Sequence, residues 1–292
     1  MTILLAGSTG FLGSYLLKSF VESGYTVIGL KRTNSNTYRI DEYLNKVTFY
    51  DIDKIELSNI FLNHQINLVV NTVTNYGRKD TKLSSIVDTN LMFGLKLLEE
   101  SVNANVKGFV NTDTLLDRNI NSYALSKAQL VEWMNFLSNK STKMVNIKIE
   151  HMYGPLDDEN KFIYWLVKQL KQNVEKIDLT SGIQKRDFIY ITDIVNAYET
   201  IIKNIDTFSN FEEFELGTGN SIEVKHFIEK IVQESKLKQE VSTNLNFGVI
   251  DYRDNENMNM QVDITKLKKL GWKPKVSIED GIKIILEKGK LK

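Results

Sequence analysis

Three features of this 292-residue sequence predict an α/β fold, a doubly wound parallel sheet with a smaller, mostly C-terminal α/β domain. Short β-rich runs alternate with longer helical stretches from residue 2 to about residue 150. The runs are apolar on both faces, as strands covered by helices on each side must be. The first run ends in a glycine-rich turn, Gly7-Ser8-Thr9-Gly10-Phe11-Leu12-Gly13, that opens a helix.

In order, the β-rich runs fall at residues 2–6, 26–30, 47–50, 67–71, 108–111 and 144–149. Between them apolar residues recur at helical spacing, as at Leu91, Leu95, Leu98 and Val102. The second half carries helical patterns at 160–172, 191–204, 224–236 and 278–288, with short β-like pieces between. Tyr153-Gly154-Pro155 is a turn signal and sets the boundary. Residues 1–152, with 184–216 rejoining, are expected to form the sheet domain, and residues 153–183 with 217–292 the second domain. The tail, 288–292, reads as a frayed, solvated end.

Composition narrows the function. With 37 basic and 37 acidic residues the net charge is zero, so neither nucleic acid nor an anionic membrane is an expected partner. Without cysteine there is no disulfide framework, thiol nucleophile or Cys-based zinc site. His64 and His226 sit on helical patterns with no partner spacing, so no metal site is expected. The run 2–6 lacks a leader's apolar core, and no apolar run nears the roughly 18 residues of a membrane span. The expectation is a cytoplasmic globular enzyme, with 42% apolar residues to build a core.

Glycine permits a tight turn and lets backbone N–H groups approach a pyrophosphate at a helix N-terminus. The spacing is Gly-x-x-Gly-x-x-Gly, not the Gly-x-Gly-x-x-Gly of the best-known fingerprint, but its place on the first βα turn is that of a Rossmann-type dinucleotide site. Gly7, Ser8, Thr9, Gly10, Phe11, Leu12 and Gly13 are therefore the expected cofactor cradle. At the end of strand two an acid would bond ribose hydroxyls and repel a 2′-phosphate. Here the strand runs into Lys31-Arg32-Thr33 with no acid, so NADP(H) is expected over NAD(H). A solvated basic turn is the other reading of these residues.

Tyr123 and Lys127 lie four apart at the start of a predicted helix and share a face. A phenol near its free pKa of about 10 is a poor acid at neutral pH, and an adjacent ammonium lowers that value. Tyr123 could then protonate a carbonyl oxygen as hydride arrives at its carbon. A hydroxyl at the end of the neighbouring strand would hold that oxygen, and Thr112-Asp113-Thr114 lies there.

Together the glycine turn, the threonines and Tyr-x-x-x-Lys resemble the extended short-chain dehydrogenases/reductases of the sugar-nucleotide epimerase/dehydratase kind. Further family motifs are matched in order by Tyr153-Gly154-Pro155, Lys185-Arg186-Asp187-Phe188-Ile189-Tyr190, Gly217-Thr218-Gly219 and Gly271-Trp272-Lys273-Pro274, and the resemblance covers the whole chain. Pro155 and Pro274, its only prolines, both fall inside these motifs. The resemblance implies an adenine contact at Asp51-Ile52 and a recurrent family asparagine at Asn90. It also implies that Tyr123 and Lys127 touch the cofactor, Lys127 at the nicotinamide ribose. Arg186 and Arg253 would bind the base and phosphates of a nucleotide sugar, or else form surface ion pairs.

Counting from Phe109, Thr114 aligns with the family's catalytic Ser/Thr and is preferred; Thr112, two earlier, is kept as a substrate contact. Two departures stand out. Thr114 and Tyr123 are only nine positions apart, so a loop that is longer in the family is cut short. Sugar dehydratases carry Asp-Glu after the threonine where Leu115-Leu116 stand here, so dehydration lacks its acid and base.

Within the family the chain resembles the nucleotide-sugar 4-ketoreductases acting on CDP-4-keto-3,6-dideoxyglucose. The segments that carry this are Asn75-Tyr76-Gly77-Arg78, Ile149-Glu150-His151-Met152-Tyr153-Gly154, residues 179–188 and Phe247-Gly248-Val249-Ile250. Tyr76 and Arg78 follow strand four, where the family lines its sugar pocket; His151 either bonds substrate or is a structural histidine. The implied activity is NADPH-dependent reduction of a C4 ketone for surface-polysaccharide synthesis. The implied assembly is a homodimer through the helices around Leu91 and Tyr123. A nucleotide-sugar epimerase with bound NAD(P), a reductase of dTDP- or GDP-4-keto-6-deoxy sugars and a non-catalytic dinucleotide sensor are the alternatives. Trp133, Trp165 and Trp272 read as core anchors, and Asp157-Asp158-Glu159 as a solvated turn.

Overall fold

The computed structural model describes residues 1–78, 81–138 and 140–288; the tail expected to fray lies outside them from residue 289. Strands β1 (Thr2–Ala6), β2 (Thr26–Lys31), β3 (Thr48–Asp51), β4 (Leu68–Asn71), β5 (Gly108–Thr114) and β6 (Lys143–Ile149) come first. They alternate with helices α1 (Phe11–Glu22), α2 (Leu57–Asn63), α3 (Leu83–Val87), α4 (Phe93–Asn103) and α5 (Ser122–Leu137). The second half adds β7 (His151–Tyr153), α6 (Phe162–Lys171), β8 (Lys176–Leu179), β9 (Lys185–Arg186), β10 (Phe188–Tyr190) and α7 (Ile191–Lys203). It continues with β11 (Phe211–Leu216), β12 (Ile222–Glu223), α8 (Val224–Lys236), β13 (Asn244–Phe247), α9 (Thr265–Lys269) and α10 (Ile278–Lys288).

These elements form two compact units, Met1–Ile149 with Tyr198–Glu215, and Glu150–Ala197 with Leu216–Lys292. The sheet is the predicted parallel one, seven strands in the order β3-β2-β1-β4-β5-β6-β11. The order reverses between β1 and β4, where an open α/β sheet forms its crevice. Ile3, Leu4, Leu5 and Ala6 of β1 are all fully buried, which only a strand covered on both faces allows. Leu12, Leu16, Leu17 and Phe20 give α1 the apolar stripe that covers it. β5 runs three residues past the predicted end, and Thr112, Asp113 and Thr114 pair with Ile147, Lys148 and Ile149 of β6.

The second unit packs around aromatic rings. Phe188 and Phe227 stack at 3.8 Å between centroids, and Tyr153 sets its edge against Phe227 and Tyr190. Trp272 is buried and donates Nε1–H to the Asp193 carbonyl (3.1 Å), while the Asp193 carboxylate accepts the amides of Lys275 and Val276 (both 3.0 Å). The other two tryptophans correct their expectation. Trp133 and Trp165 are 45% and 37% exposed, each with its ring against a neighbouring exposed phenylalanine, Phe136 and Phe162. Asp157 is likewise no solvated turn residue: it is buried and paired with Lys161 at 2.8 Å. No described helix is long and apolar enough to cross a membrane.

Candidate active site

The glycine turn is built for close approach. Gly7 has φ +83°, a left-handed conformation, and a Cβ there would stand 2.6 Å from Thr72 Oγ1. A Cβ on Gly13 would stand 2.1 Å from the Gly7 carbonyl oxygen, so helix and turn can touch only as glycines. Ser8 is buried and donates its hydroxyl to the Leu30 carbonyl (2.9 Å), tying the turn to β2. No side chain caps α1 and no acid lies in its first turn, leaving the positive end of the helix dipole over the turn. Thr9, Gly10, Phe11 and Leu12 complete the cradle. It fits an anion such as a dinucleotide's pyrophosphate.

The tip of β2 differs from the linear reading. Register sets Lys31 beside Asp51, and the two form an ion pair with Thr33 Oγ1 also donating to Asp51 (3.3 Å). The Lys31 bond holds the Asp51 carboxyl below the usual range. Asp53 accepts the Thr33 amide (2.8 Å). Two acids therefore stand at a tip where the sequence shows none, and Lys31 is neutralised by one of them. Arg32 remains exposed. Arg39, which the sequence reading passed over, donates to the Thr9 carbonyl (3.4 Å) and lies over the Tyr38 ring. Its signal was its rarity, being one of six arginines in the chain. Ile52 follows Asp51 at the end of β3, its amide donating to the Lys31 carbonyl (2.9 Å).

At the end of β5 the Thr114 side chain stands by the Tyr123 hydroxyl, where it favours the ionised phenol. Thr112 instead shares a buried 2.6 Å hydrogen bond with Tyr198, so of the two threonines it is Thr114 that meets the tyrosine. Asn121 caps α5 by accepting the Ala124 amide (2.8 Å), which fixes the first turn where Tyr123 sits. Burial raises the Tyr123 pKa well above the ordinary phenol value, and Tyr76 and Asp113 add to the rise. Lys127 is 1% exposed, and burial pushes its pKa down to about 8, with Asp113 opposing. Its Nζ has no hydrogen-bond partner among the described residues. An orphaned buried ammonium one turn from Tyr123 fits the hydroxyls of a nicotinamide ribose.

The loop after β4 closes over this end. Tyr76 lies 5.2 Å from the Tyr123 ring between centroids, and the Arg78 guanidinium stands 5.1 Å from the Tyr76 ring. Asn90 sits in a π-helical turn (Asp88–Met92) between α3 and α4 and is buried. Its side chain bonds both the amide and carbonyl of Asn75 (2.7 and 2.9 Å) and Ser126 of α5 (3.0 Å). Asn90 thus locks the loop to the tyrosine's helix.

In the second unit Arg186 is buried and ion-pairs with Glu256, and it also donates to the carbonyls of Lys185 (2.6 Å) and Asn257 (2.7 Å). Arg253, half exposed, bonds the other oxygen of Glu256 (2.5 Å), so one carboxylate holds both predicted arginines. His151 is exposed, with Nδ1 bonded to the buried Glu150 (2.8 Å). That bond orients the imidazole. Asp187 accepts the amides of Thr218 (2.8 Å) and Gly219 (2.7 Å), giving Gly217-Thr218-Gly219 a structural reason. No group of three or more potential metal-ligating side chains stands together among the described residues.

Comparison with known proteins agrees with this architecture. CDP-abequose synthase of Salmonella muenchen is 34% identical over 97% of this chain and 96% of the relative. The enzyme of that name from Salmonella typhimurium is 31% identical over 98% and 97%. The dTDP-4-dehydro-6-deoxyglucose reductase of Escherichia coli is 26% identical over 96% and 95%. The crystal structure of UDP-glucose 4-epimerase from Thermotoga maritima superposes with a TM-score of 0.83 over 98% of each chain at 23% identity, a likeness of fold. The sequence profile of the NAD dependent epimerase/dehydratase family matches residues 3–217, so the chain that builds this cradle and this tyrosine helix belongs to that family.

Proposed function

We propose that the protein is an NADPH-dependent reductase of the C4 keto group of a nucleotide-linked 4-keto-deoxy sugar, one like CDP-4-keto-3,6-dideoxyglucose. The observation that carries this reading is the buried, unpartnered Lys127 ammonium one helical turn from Tyr123. The similarity to CDP-abequose synthases supports the sugar class. A nicotinamide supplies the hydride when bound. Thr114 holds the ketone oxygen beside Tyr123, and Tyr123, kept protonated by its burial, delivers a proton to that oxygen. Lys127 holds the cofactor ribose and draws the phenol's pKa down toward the working range. Gly7 to Gly13 seat the pyrophosphate, and Arg32 and Arg39 are the cations that would meet a 2′-phosphate. Arg186, Arg253, Tyr76, Arg78 and His151 are proposed for the nucleotide sugar. The protein would act in the cytoplasm, in O-antigen or capsule sugar synthesis. Exposed Met92, Leu125, Trp133 and Phe136 near α4 and on α5 support a homodimer through these helices.

The test is NADPH oxidation against CDP-, dTDP- and GDP-linked 4-keto-deoxy sugars, each generated in place, with the product's C4 configuration read by NMR. Tyr123→Phe is expected to lose about 10²–10⁴-fold in turnover while dinucleotide binding persists. Retained turnover in that variant would sink the assignment.

A second reading is favoured by Asp51 and Asp53 at the β2 tip, whose carboxylates suit ribose hydroxyls. It is a nucleotide-sugar epimerase with tightly bound NAD. A change of sugar configuration with no net oxidation of NADPH, and NAD released on denaturing the purified protein, would decide for it.

A further inference from the structure

Strand β9 is two residues long, and alternation along a strand sends its two side chains to opposite faces. Arg186 turns inward to Glu256 and the Asn257 carbonyl. Lys185 is exposed and lines a groove of about 410 Å³ on the other face, within the second unit. The turn carrying Gly219, Asn220 and Ser221 forms one wall, and Asn259 and Gln261 form the other. Backbone pairing fixes both walls. β9 runs antiparallel to β12, and on its other side the Lys185 amide donates to the Met258 carbonyl (2.9 Å). Ser221 Oγ donates to the Met260 carbonyl (2.5 Å), which ties one wall to the other.

The side chains in this groove are left open. None of the carboxamides of Asn220, Asn259 and Gln261 has a hydrogen-bond partner among the described residues. Nor does the Lys185 ammonium form an ion pair among them, although Glu223 of β12 stands opposite it in register. Exposed carboxamides are ordinarily met by water; what sets these apart is their convergence on one concavity with a cation in it. A carboxamide both donates and accepts, as a sugar hydroxyl does, and an ammonium offers three donors to an anion. No acid and no aromatic ring lines the groove, and Val262 is its apolar side chain. A nucleobase or an apolar ligand would ask for aromatic or aliphatic walls. The volume is that of a small-molecule site, so the chemistry left is a small, hydroxylated anion.

We propose that this groove binds a sugar phosphate, with the phosphate on Lys185 and the hydroxyls on Asn220, Asn259 and Gln261. The site goes beyond the reductase reading and does not rest on it.

Calorimetric titration of the whole chain with glucose 1-phosphate, inorganic phosphate and glucose tests this. Glucose 1-phosphate should bind once per chain and more tightly than either of the other two. Lys185→Gln should weaken it about tenfold, the usual worth of a charge-assisted hydrogen bond, and Gln261→Ala about threefold. Glu223→Gln should act the other way and tighten it about twofold, because it removes a negative charge beside the anion. All three side chains are exposed, so the variants should fold, and dinucleotide affinity should be the same in each. CDP-glucose titrated into Arg253→Met protein separates the two sources of this chemistry, a free sugar phosphate and the sugar end of a nucleotide sugar. No saturable binding, binding indifferent to Lys185 and Gln261, or glucose 1-phosphate binding lost in Arg253→Met would overturn the proposal. The last result would put the ligand in the nucleotide-sugar site instead. A failed reductase assay leaves the groove standing, and an empty groove leaves the reductase reading untouched.

Discussion

Lys127 in the first unit and Arg186 in the second are both nearly sealed from solvent, 1% and 5% exposed, yet their bonding differs in kind. Arg186 donates to two carbonyls and pairs with Glu256, whereas Lys127 Nζ meets no acceptor among the described residues. A buried donor without a partner costs about 1–3 kcal/mol, and more when it is charged. A chain keeps such a group where something outside the fold completes it, so Lys127 has the character of a ligand-binding cation. Arg186 has that of a structural clamp, and would reach a substrate phosphate only by loosening its hold on Glu256.

Removing each cation tests the contrast, because the two signs should be opposite. Arg186→Met leaves the Glu256 carboxylate in a buried site with only Arg253, itself half exposed, to pair with. We expect a loss of about 3–5 kcal/mol in urea unfolding, the usual cost of stripping one partner from a buried pair. An unchanged midpoint would erase the difference between the two cations.

Lys127→Met keeps the aliphatic stem and deletes the orphaned charge. Burial holds the folded pKa at about 8 against an ordinary 10.5, so at neutral pH the charge opposes folding by on the order of 3 kcal/mol. The variant should melt higher than the wild type while losing dinucleotide affinity and turnover. Between those two pKa values the unfolded chain holds a proton that the folded chain does not, so wild-type stability gains with rising pH. The advantage of Lys127→Met should thus be complete below about pH 8 and shrink toward pH 10.5, as melting curves across that window would show. A constant advantage would mean that Lys127 is paired in solution.

The same contrast shows what a linear reading can see. β1, α8 and α10 stand at the residues their periodicity marks, because apolar spacing alone specifies them. The end of β5 extends three residues past its apolar run because Asn111-Thr112-Asp113-Thr114 is polar, and a polar row does not look like a buried strand. The acids at the β2 tip were hidden for another reason. Asp51 reaches Lys31 across strands twenty positions apart, a neighbour that only sheet register supplies. Tyr123 and Lys127 were legible because helical spacing places them on one face. That Lys127 lacks a partner was not, since satisfaction of a buried group depends on every element around it.

The smallest effect separates the two halves of the tyrosine helix. Asn121 accepts the Ala124 amide and so holds the first turn of α5, where Tyr123 lies; Lys127 is a full turn further in. Asn121→Ala should cost about 1 kcal/mol of stability, the usual value of an N-cap. Fraying of that turn displaces the phenol from Thr114 but leaves the ammonium in place. Turnover should therefore fall several-fold while dinucleotide affinity holds, and Asn121→Asp, which keeps the cap and favours the helix dipole, should restore it. An equal loss in both quantities would show that the first two turns move together. Lys127 would then owe its position to the cap as much as Tyr123 does.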